Sequence, residues 1–273
     1  MRTNINTDLF LDKLKEDSGE YRNLETAQYN PTEKKNVIRS LMNIRMPREV
    51  STELLEVQDA YLQEELAQKG VVRLSEIPTL EGQYLNRLSI WQGDITRLEV
   101  GAIVNAANSQ MLGCFVPCHR CIDNAIHSAA GMQLRDECSR IMTQKRIRYG
   151  RKYEEPTGTA TLTKAYNLPC DYVIHTVGPI VYGGLNDSLR QDLRNCYKNV
   201  LTCCVENKIR TVAFCCISTG EFHFPNDEAA KIAIETVIDF LKTHNNSLER
   251  IIFNVFKDDD LEIYQQKISS YNF

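Results

Sequence analysis

The stretch LSIWQGDITRLEVGAIVNAAN, residues 88–108, decides the fold. It contains two short apolar runs, LSIWQGD and AIVNAAN, each rich in β-branched or aromatic residues and each closed by Gly or Asn. Such runs are too short for buried helices and read as strands with turn signals between them. Working outward, the same texture returns in YVIHTVGP (172–179), TVAFCCIST (211–219) and RIIFNVF (250–256). Longer segments with helical periodicity lie between them: CIDNAIHSAAGMQLRDECSRIMTQK (121–145), DSLRQDLRNCYKNVLTCCVENK (187–208) and NDEAAKIAIETVIDFLKTHNN (226–246). Strands alternating with helices imply an α/β domain around a mostly parallel sheet. Ligands of such sheets bind beyond the carboxyl ends of the strands. Gly93-Asp94, Asn105 to Asn108 and Ser218-Thr219-Gly220 fall there.

Residues 1 to about 85 have a different character, being polar with helical punctuation. Asn30 and Pro31 open one predicted helix, with Val37, Ile38, Leu41 and Ile44 on one face. Ser51 opens another, with Leu54, Leu55, Tyr61, Leu62 and Leu66 as its stripe and Gly70 as its stop. This predicts a helical N-terminal extension or cap over 1–85 and an α/β domain over 86–273. The extension carries no chemical motif, and neither region shows an internal repeat.

The 273 residues, 42% of them hydrophobic, suffice for one sizeable core. A net charge of −4 argues against a nucleic-acid binder held by bulk charge. No apolar run approaches the roughly 18 residues of a membrane span. The N-terminal MRTNINTDLFLDKLKED has no apolar signal core, so a cytoplasmic protein is expected. Ten cysteines in a reducing compartment are then free thiols. Cys203, Cys204, Cys215 and Cys216 read as core residues, and Cys138, Cys170 and Cys196 as structural ones.

One cysteine cluster departs from that pattern. GCFVPCHRCIDNAIH, residues 113–127, places Cys114, Cys118, His119 and Cys121 within eight positions. Zinc takes Cys and His, four of them in a closed structural site and three with an open position in a catalytic one. Cys114, His119 and Cys121 form C-x4-H-x-C, which one loop can wrap around an ion. Spacing leaves open a three-ligand zinc site, a closed site that adds Cys118, and no metal at all. His127 is expected on the surface of the following helix or behind the ligands. Elsewhere, ISTGEFHFPNDEAAKIA (217–233) reads as a strand ending in Ser-Thr-Gly, a short loop, and a helix beginning near Pro225. Backbone N–H groups in such a loop form an anion site, the alternative being an ordinary turn. Asp94 is either a helix cap or an acceptor for a ligand amino group.

In this order, GDIT (93–96), AIVNAANSQMLG (102–113), PTGTATLTKAYNLPCDYVIHTVGP (156–179) and ISTGEFHFP (217–225) resemble a macrodomain over about residues 88–256. The resemblance implies a three-layer α/β/α fold with a mixed, mostly parallel sheet, and ADP-ribose bound at the strand ends. CFVPCHRCIDN (114–124) stands where common macrodomain hydrolases carry a glycine-rich loop. With TGEFHFP and the N-terminal helices, this is similar to the zinc-dependent macrodomain subclass. That implies a protein-ADP-ribosylhydrolase removing mono-ADP-ribose with a catalytic zinc. The implied partners are a mono-ADP-ribosylated protein, here a lipoyl carrier resembling glycine-cleavage H protein, and a sirtuin-type ADP-ribosyltransferase.

The resemblance also implies roles. Asp94 matches the residue that holds the adenine amino group, with Ile95 beside it, and Phe256 matches an adenine-stacking aromatic. Asn105 and Asn108 match the asparagines facing the distal ribose. Cys114, His119 and Cys121 match zinc ligands, while Cys118 matches none. Ser218, Thr219, Gly220, Glu221 and Phe222 match the loop around the diphosphate and distal ribose. Asp123 aligns with an acidic position of the common hydrolases, its rival reading being a cap of a helix starting at Asn124. Asn105, Asn108, Asp123 and Glu221 form the expected catalytic group, Glu221 as base or fourth ligand. Two rival functions stand beside this one: a reader that binds ADP-ribose around a structural zinc, and an interaction module with a vestigial pocket.

Overall fold

The computed structural model describes residues 3–244 and 247–271. Three helices come first: α1 (Thr3–Ser18), α2 (Pro31–Ile44) and α3 (Thr52–Lys69). The Asn30 side chain accepts from Glu33 N–H at 3.0 Å, and the Glu33 carboxylate accepts from Asn30 N–H at 2.8 Å. This reciprocal box, with Pro31 already at the helical φ, starts α2 and is worth about 1 kcal/mol. Ser51 caps α3 through Leu54 N–H, and Gly70, at φ 78°, ends it. Phe10, Leu11, Leu14, Ile38, Leu41, Leu54, Tyr61 and Leu62 join in one apolar cluster.

The chain then enters the α/β region. The elements are β1 (Val72–Arg73), β2 (Leu88–Gln92), β3 (Leu98–Glu99), β4 (Ala102–Ala107), α4 (Ile122–Ala130) and α5 (Met132–Tyr149). They continue with β5 (Thr161–Lys164), β6 (Tyr172–Val177), α6 (Asp187–Glu206), β7 (Thr211–Phe214), α7 (Asn226–Thr243), β8 (Arg250–Val255) and α8 (Asp258–Ser269). The main sheet has the order β2-β8-β7-β4-β6-β5, and β1 pairs with β3 in a small parallel ladder. Every neighbouring pair in the main sheet is parallel except β5 with β6. The crossover from β4 to β6 runs one way along the sheet, and those from β6 to β7 and β7 to β8 run the other. Right-handed connections therefore put α4 and α5 on one face and α6 and α7 on the opposite face. β4, β6 and β8 are buried almost throughout, as strands covered on both faces require.

Four sequence expectations change in detail. The segment 121–145 is two helices, because Gly131, at φ 98°, turns the chain where a Cβ would meet the Gln58 amide at 2.7 Å. The run 211–219 stops being strand at Phe214, so Ser218-Thr219-Gly220 lies in a loop beyond the strand end. TLTK (161–164) is an additional strand, at the antiparallel edge. The third helical segment ends at Thr243, and its residues 245–246 lie outside the described ones. All ten cysteines are free, and Cys138, Cys170, Cys196, Cys204 and Cys215 are buried. Among the described residues, no helix is long and apolar enough to cross a membrane.

Candidate active site

The parallel strands β4, β7 and β8 bring their carboxyl ends to one end of the sheet, and α4 packs against β4. Asn105, on β4, is fully buried, and its Nδ2 donates to Asp123 Oδ1 at 2.8 Å. Asn108 Nδ2 donates to Asp123 Oδ2 at 3.2 Å. One carboxylate thus holds both asparagines. Asp123 does not cap α4: it sits in the first turn, and Cys121 is the N-cap, its Sγ accepting from Asn124 N–H at 3.4 Å. Burial pushes the Asp123 carboxyl up to about 6, against the pull of the Asn105 amide and the Arg135 charge.

Behind Asp123 lies a buried imidazole layer. His127 is not on the helix surface; it is buried, with Nε2 3.5 Å from Asp123 Oδ1. Its ring packs under Gly113, where a Cβ would come within 2.8 Å of His127 Cγ. His175 Nδ1 lies 3.1 Å from Asn105 Nδ2. Burial holds His127 well below the ordinary imidazole pKa and His175 at about 3, so both rings are neutral near pH 7.

The loop 113–121 brings Cys114, His119 and Cys121 together, their donor atoms all within 4.8 Å of one another. Cys114 Sγ lies 3.6 Å from His119 Nδ1. Burial pushes the Cys121 thiol up to about 12. Cys118 takes another direction: at φ 52° it points its Sγ to Ser40 Oγ, 3.3 Å away, and to Asn36 O, 3.4 Å away, both on α2. Two thiols and an imidazole within reach of one point form a soft three-donor set, which suits zinc and leaves a fourth position open. Glu221 approaches from the opposite loop, its Oε1 3.6 Å from His119 Nε2.

α2 holds this loop in place. Arg39 donates to Asn124 Oδ1 and to His119 O, and Asn43 Oδ1 accepts from Cys118 N–H at 2.9 Å. Arg135 Nε donates to Leu112 O at 2.7 Å, while its Nη1 reaches the carbonyls of Met42, Asn43 and Arg45. Those carbonyls lie at the C-terminal end of α2, where a cation is favoured. Sequence reading passed over Arg39, Asn43 and Arg135, because polar residues on an amphipathic helix look like a solvated face.

The loop 217–222 is the candidate anion site. Ser218 adopts φ 66°, and its buried Oγ has no partner among the described residues. Gly178 makes room for it, since a Cβ there would stand 2.0 Å from Ser218 Oγ. His223 N–H bonds Gly220 O and Phe224 N–H bonds Ser218 O, closing the turn. Among the described residues, no N–H of residues 218–222 donates to a protein acceptor. Thr219 Oγ1 donates to Cys216 O at 3.1 Å, and Phe222 O accepts from Val181 N–H at 2.9 Å.

Beyond the carboxyl end of β2, Asp94 caps a short turn, Oδ1 accepting from Thr96 N–H at 3.0 Å, while Oδ2 lies 3.5 Å from Lys69 Nζ. Ile95 buries its side chain in the core, which leaves its backbone for any ligand contact. Phe256, just after β8, is 75% exposed, a free aromatic face at the sheet edge.

Residues 104–233 match the family model described as Macro domain. Over 237 residues the chain is 49% identical to a protein-ADP-ribose hydrolase of Treponema medium, covering 87% of this chain and 88% of that protein. It is 45% identical to a protein-ADP-ribose hydrolase of Staphylococcus aureus (strain MSSA476), covering 84% and 82%. Among solved structures, the Trypanosoma brucei macrodomain in complex with ADP-ribose aligns at a TM-score of 0.65 and 27% identity, over 89% of this chain and 97% of that one.

Proposed function

This chain belongs to the macro domain family, and we propose that it is a hydrolase releasing ADP-ribose from ADP-ribosylated proteins. One observation carries the reading: the soft donors Cys114, His119 and Cys121 converge beside the Asn105–Asp123–Asn108 group, at the end of the cleft where the distal ribose of ADP-ribose would lie. A zinc with only a structural task has no reason to sit there.

In this reading the diphosphate lies on the N–H groups of residues 218–222, which bind an anion without adding charge. Asp94 takes the adenine amino group, with the backbone of Ile95 beside it, and Phe256 stacks on the ring. Asn105 and Asn108 orient the distal ribose, and Asp123 fixes both amides. Cys114, His119 and Cys121 hold zinc. When bound, zinc supplies Lewis-acid polarisation of an oxygen or a water of lowered pKa. Glu221 faces the His119 nitrogen turned away from Cys114, so it acts through His119, orienting the ring as an outer carboxylate does. Hydrolysis breaks the bond at C1″; the water hydroxyl stays with the released sugar, and the protein side chain recovers a proton.

On the resemblance alone, we extend the reading to a mono-ADP-ribosylated lipoyl carrier as substrate and a sirtuin-type transferase as the enzyme that modifies it. We place the reaction in the cytoplasm, where ten free thiols persist. The test measures zinc per chain and ADP-ribose release from a mono-ADP-ribosylated protein, before and after chelation and zinc replacement. Release that disappears with zinc and returns with it is expected. Stoichiometric zinc and tight ADP-ribose binding, with no release from several linkages, would make the chain a reader.

A further inference from the structure

We propose that the C-terminal end of α5 and the turn after it form a docking platform for an acidic face of the modified protein. This rests on the hydrolase reading and adds how the protein part of the substrate is chosen. Residues 140–153, RIMTQKRIRYGRKY, carry six cationic side chains and no acidic one, in a chain whose net charge is −4. Lys145 is used internally, against the buried carboxylate of Glu155 at 2.7 Å. Among the described residues, Arg148, Arg151 and Lys152 are exposed and make no ion pair. On either side of Arg148, Ile147 is 81% exposed and Tyr149 58% exposed. Tyr149 stacks on Tyr153 with ring centroids 5.1 Å apart, and the Arg148 guanidinium lies 5.2 Å from the Tyr149 centroid. Arg and Tyr around a bare aliphatic group is the composition of a protein-binding patch.

The position is as informative as the composition. Arg146 Nη2 donates to Gln110 Oε1 at 2.8 Å, and Gln110 N–H donates to Asn108 Oδ1 at 3.0 Å. Glu154 accepts from Ser109 Oγ and Gln110 Nε2, both at 2.8 Å. The platform is therefore built onto the loop that carries Asn108, at the distal-ribose end of the cleft. In the proposed binding mode the modified protein is attached to that ribose, next to this loop. A long polyanion such as nucleic acid would extend from the patch over an otherwise acidic surface. A folded protein with a local acidic face can meet the exposed cations beside the lone exposed carboxylate of Glu154 and gives Ile147 an apolar partner. Exposed charges of this kind act mainly on association and are screened by salt, the Debye length being about 8 Å at physiological ionic strength.

The test uses the full chain and two mono-ADP-ribosylated carrier proteins with the same linkage, one of negative and one of positive net charge. The double variant Arg148→Glu, Lys152→Glu changes only exposed residues, and a thermal melt establishes that it is folded. A loss of about tenfold or more in kcat/KM on the acidic carrier is expected at low salt, shrinking towards none at high salt. The basic carrier and the Kd for free ADP-ribose should not lose. An unchanged kcat/KM on the acidic carrier, or an equal loss on both carriers, overturns the platform. So does single-stranded DNA that binds the wild type more tightly than the acidic carrier and loses its binding in the variant. A wild type that releases nothing from either carrier defeats the hydrolase reading instead. The Kd for the intact acidic carrier then decides: weakening in the variant supports the platform, and no weakening overturns it.

Discussion

Arg39 on α2 grips Asn124 on α4 with two N–H groups, Nε at 3.0 Å and Nη2 at 2.7 Å from the same amide oxygen. Nη2 also reaches His119 O at 3.1 Å. The helical extension thus bonds directly to the backbone of a candidate metal ligand. Arg39→Ala should weaken zinc binding about tenfold, as loss of an outer support typically does. Competition with a chromophoric chelator measures this, and ADP-ribose affinity should hold. Equal zinc affinity in variant and wild type would reduce Arg39 to a surface contact.

Cys114→Ala removes one of two thiolates from a three-donor set. Turnover should fall at least a hundredfold, or about 2.7 kcal/mol of barrier, while the Kd for ADP-ribose changes little. Single-turnover release and calorimetric binding on the same preparation separate the two effects. Strong turnover with zinc verified absent would defeat the assignment.

The neighbourhood of Ser218 permits a purely steric test. Gly178→Ala would set a methyl 2.0 Å from Ser218 Oγ, so the loop 217–222 must shift. Overpacking costs about 1–3 kcal/mol, and here it falls on the turn proposed to bind the diphosphate. ADP-ribose affinity should drop about tenfold or more while zinc content stays the same. Retained affinity would mean the diphosphate does not use this loop.

Acid stability follows from the buried imidazoles. His127 and His175 are held below their unfolded pKa, so the unfolded chain binds protons first as pH falls below about 6.5. Each can remove up to about 1.4 kcal/mol of stability per pH unit below that point. Asp123 works in the opposite sense: at about 6 it takes a proton in the folded state before the unfolded one, offsetting part of the loss between about 6 and 4. Urea unfolding of metal-depleted protein at pH 7 and 5 should show the net loss, steeper in Asp123→Asn. A flat profile would show the imidazoles to be solvated.

Much of this was legible beforehand. The five strands that are parallel to their neighbours announce themselves as short apolar runs, since both faces of such strands are covered. The edge strand Thr161–Lys164 did not, because TLTK is short and three of its four residues are polar. The Cys/His loop stands out by the density of soft donors, whose chemistry is local to a few residues. Asp123 was readable only as a choice between cap and active-site acid, since its bonds to Asn105 and Asn108 come from another element. His127 was likewise readable only as a choice between helix surface and a place behind the ligands, since Gly113, against which its ring packs, stands fourteen positions earlier in the chain. The grip of α2 on the loop spans 75–85 positions in sequence and has no local signature.

Met132, the first residue of α5, is buried among the side chains of α1, α2 and α3. Gln58 Oε1 on α3 accepts from its N–H at 2.8 Å, and Gln63 Nε2 donates to Asn167 O at 3.0 Å. The matched family segment, 104–233, therefore leans on contacts from residues outside it. Truncation before residue 86 would uncover an apolar socket and strip the Arg135 guanidinium of three carbonyl partners. The frame of the candidate site thus extends beyond the segment that the family model matches, and a grafted minimal domain would carry the site residues without the helices that hold them.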